Sequence, residues 1–180
     1  SWSFENIYPN AVSHQPTAYN NAAAFTGGSS SALEIHPSAT LKFDKDFTIE
    51  AMVWRQRTSR SDWVASYGST TDGAGILFGY DADGHVKFAL QDAVDGTVCS
   101  ESHNPEEEWN YIAASYNYET QTACLQLADS GPTCQTIAST LDNSGVLRLG
   151  CGKGCTEFLD GRLDEFRFWT TALPTWKLDQ

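Results

Sequence analysis

The chain has 180 residues, of which 41% are hydrophobic and 12% aromatic, and its formal net charge is -12 at pH 7. This length suits one domain with a sizeable core, so we expect residues 1–180 to form a single domain. The 23 acidic residues against 11 basic ones argue against nucleic acid as a partner, and no apolar run approaches the roughly 20 residues of a membrane span.

Short segments of alternating apolar and polar residues, separated by Gly, Pro, Asn and Asp, predict an all-β chain. Residues 6–21 are predicted to be irregular because Pro9, Pro16 and several Asn discourage regular structure. A turn of helix is predicted over Pro174–Leu178. The predicted strands are Trp2–Phe4, Tyr19–Phe25, Ala32–Ile35, Asp46–Arg55, Asp62–Gly68, Gly75–Tyr80, His85–Gln91, Thr97–Glu101, Trp109–Tyr118, Thr122–Ala128, Cys134–Ala138, Val146–Leu149 and Arg162–Trp169.

Strands at this spacing predict two antiparallel sheets packed face to face, about 10 Å apart, which is a jelly-roll sandwich. We find neither an internal repeat nor a low-complexity segment in the chain.

Five cysteines in a small, loop-rich β chain indicate disulfides rather than a zinc site, and hence a secreted or extracellular location. Cys124 and Cys134 flank a predicted hairpin and would face each other across it. Cys151 and Cys155 could close a short loop rich in glycine. This scheme leaves Cys99 free or bonded to another chain, although spacing alone also permits other pairings, such as Cys99 with Cys124.

Five segments resemble, in the right order, the strands of laminin G-like domains of the concanavalin A-like lectin/glucanase superfamily. They are Trp2–Glu5, Phe47–Trp54, Trp109–Tyr116, Val146–Gly150 and Gly161–Pro174. The last resembles the closing strand of the family, and the likeness spans nearly the whole chain. The resemblance implies a concanavalin A-like jelly roll that serves as a lectin-like module, often assisted by calcium.

The closing strand contains an aspartate with unusual expected neighbours. Regular alternation would place Asp164 on the same face as Phe166 and Phe168. A carboxylate beside apolar rings needs either amide hydrogen bonds from a turn or a cation. The resemblance places an amino-terminal acid, Glu5, in a neighbouring strand, so Asp164 and Glu5 are predicted ligands of a calcium ion.

Aromatic side chains near loops are the candidates for sugar contact, because a sugar ring packs its C–H face on an aromatic platform. Trp63 and Tyr80 lie near predicted loops and are the predicted contacts. The turn acids Asp81 and Asp83 are predicted to join them, although Asp is also a common turn former. The resemblance assigns structural positions in the core or at an edge to Trp54, Trp109 and Trp169.

Catalysis is the less favoured function. Glycosidases on this fold commonly carry Glu-x-Asp-x-x-Glu on one strand, and the chain has no such run. Asp164 and Glu165 are adjacent, so they are expected on opposite faces of their strand. We therefore expect an extracellular, non-catalytic module that binds a glycan or glycoprotein, the alternatives being a protein-binding adhesion module and, less favoured, an enzyme that degrades polysaccharides.

Overall fold

A computed structural model describes residues 13–17, 20–29, 31–36, 41–56, 59–68, 75–90, 96–103, 106–128, 130–139, 141 and 145–174. The strands are β1 (Ser13–Thr17), β2 (Asn20–Thr26), β3 (Leu33–Ile35), β4 (Phe47–Arg55), β5 (Asp62–Gly68), β6 (Gly75–Tyr80), β7 (His85–Leu90), β8 (Thr97–His103), β9 (Trp109–Asn117), β10 (Thr122–Leu127), β11 (Thr133–Thr136), β12 (Val146–Leu149) and β13 (Asp160–Trp169). The helical structure in the described part of the chain is one short 3-10 turn, Lys153–Cys155.

The strands form two antiparallel sheets. Seven strands pair in the order β1-β2-β13-β4-β9-β10-β11, and six pair in the order β3-β12-β5-β6-β7-β8. Strands that are neighbours in sequence are often separated in the sheet, and β13 returns from the end of the chain to lie between β2 and β4. The prediction of an all-β, two-sheet jelly-roll sandwich is confirmed.

The core lies between the two sheets and is made by one side of each strand. In β4, the side chains that face inward are Phe47, Ile49, Ala51 and Val53, and all are at most 1% exposed. Phe43 packs against Phe47 with ring centroids 5.2 Å apart and stacks on Tyr67 of the other sheet at 4.0 Å. Each large apolar side chain buried in this way contributes about 1.5–3 kcal/mol to folding, which ties the two sheets together.

A β-bulge in β13 changes which of its side chains face the core. Asp164 pairs with Met52, but Arg167 pairs with Glu50, so two residues of β13 lie opposite a single residue of β4. Glu165 adopts a left-handed backbone conformation, with φ at 48°, at this bulge. The bulge turns Phe166 and Phe168 inward and leaves Asp164 on the outer side, so the expectation that Asp164 shares a face with these two rings is wrong.

One strand was not expected. β1 lies within a stretch predicted to be irregular, and it pairs along its whole length with β2 at the edge of the seven-stranded sheet. Pro16 is tolerated there because an edge strand has one side whose amide groups need no ladder partner. The predicted strand Trp2–Phe4 lies outside the described residues, as does most of the predicted turn of helix at the carboxyl end.

Both predicted disulfides are present. Cys124 and Cys134 are register partners on β10 and β11, and the bond joins Cα atoms 4.1 Å apart. Cys151 and Cys155 close a loop around the 3-10 turn, with Cα atoms 5.0 Å apart. The backbone of Cys99 pairs with Lys87, but the side chain of Cys99, and hence its predicted fate, lies outside the described residues.

Strand registers bring several loops to one end of the sandwich. This is the end of the sandwich at which β4 finishes and β5, β9 and β13 begin. We call it the upper rim. The loop closed by Cys151 and Cys155 lies there as well, because β12 ends beside β5. The two sheets are joined at this rim by side chains from both, which are described next.

Candidate functional site

The aromatic residues that were predicted to contact a ligand are buried. Trp63 is 5% exposed, and its indole N–H donates a hydrogen bond to Glu157 Oε2 at 2.7 Å. The disulfide loop lies against this ring, since a Cβ atom on Gly152 would be 2.5 Å from Trp63 Cδ1. Tyr80 is fully buried between the sheets. The prediction that Trp63 and Tyr80 form a sugar platform is therefore wrong, because neither ring has an accessible face.

Tyr80 belongs to a buried ionic cluster at the upper rim. The Arg55 guanidinium lies 4.2 Å from the centroid of the Tyr80 ring, and its Nη2 is 3.2 Å from Asp62 Oδ2. Arg60 Nε is 3.4 Å from the other oxygen of Asp62. Burial raises the pKa of the Asp62 carboxyl above its usual value, while Arg55 and Arg60 act in the opposite direction. Burial also raises the pKa of Tyr80, so its phenol stays neutral.

This cluster joins strands of both sheets, and its central side chains, Arg55 and Asp62, are each 0% exposed. Arg60 contacts it from the surface and is 37% exposed. Removing one partner of such a pair would strand the other charge in the interior, at a cost of several kcal/mol. The cluster therefore holds the upper rim together rather than binding a ligand.

The predicted turn acids lie in the β6–β7 hairpin. Ligand atoms of Asp81, Asp83 and His85 lie within 4.8 Å of one another. Asp81 Oδ1 accepts hydrogen bonds from the amides of Asp83 and His85, at 3.0 and 2.9 Å, and its other oxygen lies 3.5 Å from His85 Nδ1. Calcium takes six to eight oxygen ligands, and an imidazole suits other metals. Two carboxylates and a histidine therefore do not fit calcium, and Asp81 serves to shape the turn.

Of the two predicted calcium ligands, Asp164 belongs to the described residues. Asp164 is 6% exposed, and its Oδ1 accepts a hydrogen bond from the Glu165 amide at 2.8 Å, across the bulge. Glu5 lies outside the described residues. The amide hydrogen bond matches the alternative in which a turn satisfies the carboxylate, and calcium binding by Asp164 and Glu5 stays a prediction.

A second set of aromatic side chains lies on the outer side of the seven-stranded sheet. Trp54 and Trp109 are direct partners across β4 and β9, and Met52 and Tyr111 form the next pair of that outer row. Trp169 lies on the same side of β13. All five side chains are partly exposed. We call Trp54, Trp109, Tyr111 and Trp169 the outer aromatic face. The expected core or edge positions of Trp54, Trp109 and Trp169 are corrected, because these three side chains lie partly exposed on the outer side of the sheet.

A buried carboxylate organises this face. Glu50 is 5% exposed, and its Oε2 accepts a hydrogen bond from the Tyr111 hydroxyl at 2.7 Å. Its Oε1 accepts from Trp169 Nε1 at 3.0 Å and from Arg167 Nη1 at 3.3 Å. Arg167 also pairs with Glu165. Hydrogen bonds to a charged group are stronger than neutral ones, so Glu50 fixes the orientation of two of the four aromatic rings.

Two neighbouring segments limit the face. Thr48 Oγ1 donates to the Thr171 carbonyl and accepts from the Leu173 amide, both at 2.9 Å, so the chain beyond β13 crosses the lower end of β4. Gln126 on β10 is fully buried, and its Nε2 donates hydrogen bonds to the carbonyls of Ala128 and Ser130, so the chain after β10 covers this position. Among the described residues, the part of the face that no other segment crosses is therefore the upper half of β4, β9 and β13.

The open half also contains a stacked arginine. Arg162 pairs with Trp54 across β13 and β4, and its guanidinium carbon lies 4.8 Å from the centroid of the Trp54 ring. The face thus combines aromatic rings with charged and hydrogen-bonding groups. Such a surface can hold a sugar, whose C–H face packs on a ring while its hydroxyls bond to neighbouring polar groups.

One sequence signal could have located this face. Alternate residues of β4 are the apolar Phe47, Ile49, Ala51 and Val53, so the intervening positions, which include Glu50 and Trp54, belong to the opposite side. Arg162 and Arg167 could not be placed on one side from sequence, because the bulge between them changes the alternation.

No helix within the described ranges has the length and apolar character of a membrane-spanning segment.

Comparison with known proteins gives a consistent family and fold. A laminin G family model, described as the concanavalin A-like lectin/glucanases superfamily, matches residues 26–175. No curated protein matches the chain in sequence.

Similar solved structures share low sequence identity with the chain, so they bear on its fold. Domain 4 of AbnA, an extracellular arabinanase of Geobacillus stearothermophilus solved with arabinotriose, has a TM-score of 0.69 at 14% identity, over 96% of this chain and 82% of that one. The CBM40 of the Ruminococcus gnavus IT-sialidase, bound to alpha2,3 sialyllactose, has a TM-score of 0.64 at 14% identity, over 82% and 93%. Domains LG4-5 of the mouse laminin alpha1 chain have a TM-score of 0.65 at 15% identity, over 96% and 48%, so this chain spans about half of that fragment.

Proposed function

Because the chain belongs to the laminin G-like family of the concanavalin A-like lectin/glucanases superfamily, we propose that it is an extracellular, non-catalytic carbohydrate-binding module. The outer aromatic face is its binding site. The observation that carries this proposal is the cross-strand pair Trp54 and Trp109, two partly exposed indoles side by side on the open half of a sheet. Neighbouring aromatic rings exposed on a sheet surface are typical of a site that binds another molecule.

The polar groups of the face support a sugar rather than a purely apolar ligand. Glu50, Arg167 and the Tyr111 hydroxyl form a hydrogen-bonded network next to the indoles. Sugars present hydroxyl groups around an apolar ring face, so they match a surface on which aromatic and polar groups alternate. Two of the similar structures contain a bound carbohydrate, which is arabinotriose in one and alpha2,3 sialyllactose in the other.

The carboxylates of the face support binding without catalysis. Both oxygens of Glu50 accept hydrogen bonds, from Tyr111, Trp169 and Arg167, and Glu165 pairs with Arg167. A general acid must reach the leaving oxygen with a free carboxyl oxygen, and these two carboxylates are held by hydrogen bonds and ion pairs to neighbouring side chains. Neither carboxylate is therefore suited to the acid role that glycoside hydrolysis requires.

Two disulfides support the extracellular part of the proposal, because disulfides persist in oxidising compartments. Calcium assistance is proposed only through Asp164 and Glu5, since the Asp81 turn does not have the donor set of a calcium site.

A glycan array tests the proposal with the intact chain and with Trp54→Ala and Trp109→Ala variants, each run with calcium and with a chelator. Each substitution is expected to weaken binding about five- to tenfold, because it removes a stacking platform. Lys87→Ala, on the other sheet, is the control and should bind as the unaltered chain does. Thermal melting verifies that each variant is folded.

Three outcomes would contradict parts of this proposal. No glycan signal, beside capture of a protein by the same surface, would favour the adhesion-module alternative. Cleavage of an arrayed polysaccharide would indicate an enzyme. Equal binding by the Trp54→Ala and Trp109→Ala variants would place the site away from the outer aromatic face.

A further inference from the structure

We infer that the outer aromatic face recognises acidic glycans, with Arg162 as the residue that binds a carboxylate or sulfate group of the sugar. The inference rests on the proposed function and specifies its ligand class. Its basis is the contrast between Arg162 and the other arginines of the described chain.

Arginine side chains in this chain are otherwise paired with carboxylates. Arg55 and Arg60 share Asp62, Arg148 pairs with Glu34, and Arg167 pairs with Glu50 and Glu165. Among the arginines with described side chains, Arg162 is the one that no ion pair of the described residues includes. In a chain with 23 acidic and 11 basic residues, a cation without a carboxylate partner is not the expected arrangement.

The position of Arg162 leaves its hydrogen-bonding edge available. Its guanidinium lies over the Trp54 ring, a cation–π contact that uses the flat face of the group. The five N–H donors lie in the plane of the guanidinium and are not used by this stacking. Stacking also restrains the side chain, so less conformational entropy is lost when an anion binds to the two parallel donors.

The described neighbours of Arg162 leave room for a ligand. Its partner on β2 is Ala24, a small side chain, and the Trp54–Trp109 pair lies on its other side. Asp160 and Asp164 flank it along β13, but they are only 7% and 6% exposed. The two carboxylates nearest to Arg162 on its own strand are therefore largely buried, and a sugar stacked on the indoles could present a negatively charged substituent to Arg162.

Net charge makes this cation more important. The overall charge of -12 opposes the approach of an anionic glycan, but salt at physiological strength screens charges beyond about 8 Å. At contact distance the neighbouring charges decide. Arg162 is the cation stacked on Trp54, while the exposed acids Glu106, Glu107 and Glu108 lie just before β9 at the same rim. Arg167 is already engaged by two carboxylates and is not equivalent.

An array that includes neutral, sialylated, uronic-acid and sulfated glycans tests the inference with the full chain. Arg162→Gln is compared with Lys87→Gln, which makes the same charge change on the other sheet. We expect the strongest signals from acidic glycans, a loss of about tenfold for these with Arg162→Gln, and unchanged binding of neutral glycans. Lys87→Gln should have no effect, and Trp54→Ala should weaken neutral and acidic glycans alike.

The chemical source of the anion is resolved by matched ligands. Carboxyl-reduced forms of the uronic-acid glycans lose binding if a carboxylate is recognised, and desulfated forms of the sulfated glycans lose it if a sulfate is recognised. Equal binding of an acidic glycan and its neutral counterpart overturns the inference, as does unchanged binding by Arg162→Gln. If Trp54→Ala weakens binding and Arg162→Gln does not, the inference fails while the proposed function stands; if no glycan binds, both fail.

Discussion

The indole Nε1 of Trp169 donates a hydrogen bond to Glu50 Oε1 at 3.0 Å, so an aromatic ring near the end of β13 is oriented by a carboxylate buried in the neighbouring strand. Tyr111 is bonded to the other oxygen of the same carboxylate, from β9. One side chain thus connects three adjacent strands on the side of the sheet that faces away from the core. The outer aromatic face owes its order to this connection.

Glu50→Ala is expected to lower the free energy of unfolding by about 2–3 kcal/mol, because it removes three charge-assisted hydrogen bonds. It also removes one of the two carboxylates that pair with Arg167 and leaves Glu165 as the other. Glu50→Gln should cost less, since the amide oxygen can still accept from one ring. Chemical denaturation followed by circular dichroism measures both. Glu106→Ala, at an exposed loop position, is the control and should change stability by less than about 0.5 kcal/mol. Unaltered stability of Glu50→Ala would show that the network is not formed.

The buried pair of Arg55 and Asp62 predicts a pH-dependent stability. Because burial raises the pKa of Asp62 above 3.8, the folded chain binds more protons than the unfolded chain over the pH range just above that value. The contribution of Asp62 to the free energy of unfolding is therefore complete below the pKa that Asp62 has in the unfolded chain. It declines as pH rises through the pKa that Asp62 has in the folded chain. Asp62→Asn has no such titration, so the stability of the unaltered chain relative to this variant should fall as pH rises above about 4.

Urea unfolding of the two proteins at a series of pH values checks this expectation. A stability difference that grows with rising pH would mean that Arg55 and Arg60 outweigh burial and lower the pKa of Asp62.

The disulfide loop at the upper rim predicts a steric effect. Gly152→Ala would place a Cβ atom 2.5 Å from Trp63 Cδ1, and the buried indole cannot move away freely. We expect a loss of about 1–3 kcal/mol in stability, accompanied by a shift in tryptophan fluorescence. Gly131→Ala is the matched control, because nothing lies within 4 Å of its added Cβ atom. Equal stability of the two variants would contradict the close packing of the loop on Trp63.

Much of the fold could be predicted because alternation records which side of a strand is buried. The apolar positions of β4 and the pairing of Cys124 with Cys134 follow from local pattern and hairpin register. The jelly roll itself was indicated by the order of strand motifs. These features depend on residues close together in sequence or on motifs that persist across a family.

The site was harder to predict because distant contacts decide which aromatic rings are exposed. Trp63 is covered by Gly152 and bonded to Glu157, 94 residues away, and no local signal reveals that loop. In β13, a bulge displaces Asp164 from the side of the phenylalanines, and alternation cannot reveal a bulge. For Trp54 the alternation of β4 indicates the outer side, whereas the family likeness assigns this residue to a core or edge position.

Indole N–H resonances provide the most direct test that the outer aromatic face binds glycans. Two-dimensional NMR of the isotopically labelled chain, with each indole assigned by substitution, is recorded during titration with the glycan that gives the strongest array signal. The account predicts that Trp54 and Trp109 shift with a common dissociation constant, while Trp63, buried and bonded to Glu157, does not. A shift of Trp63 without shifts of Trp54 and Trp109 would contradict it.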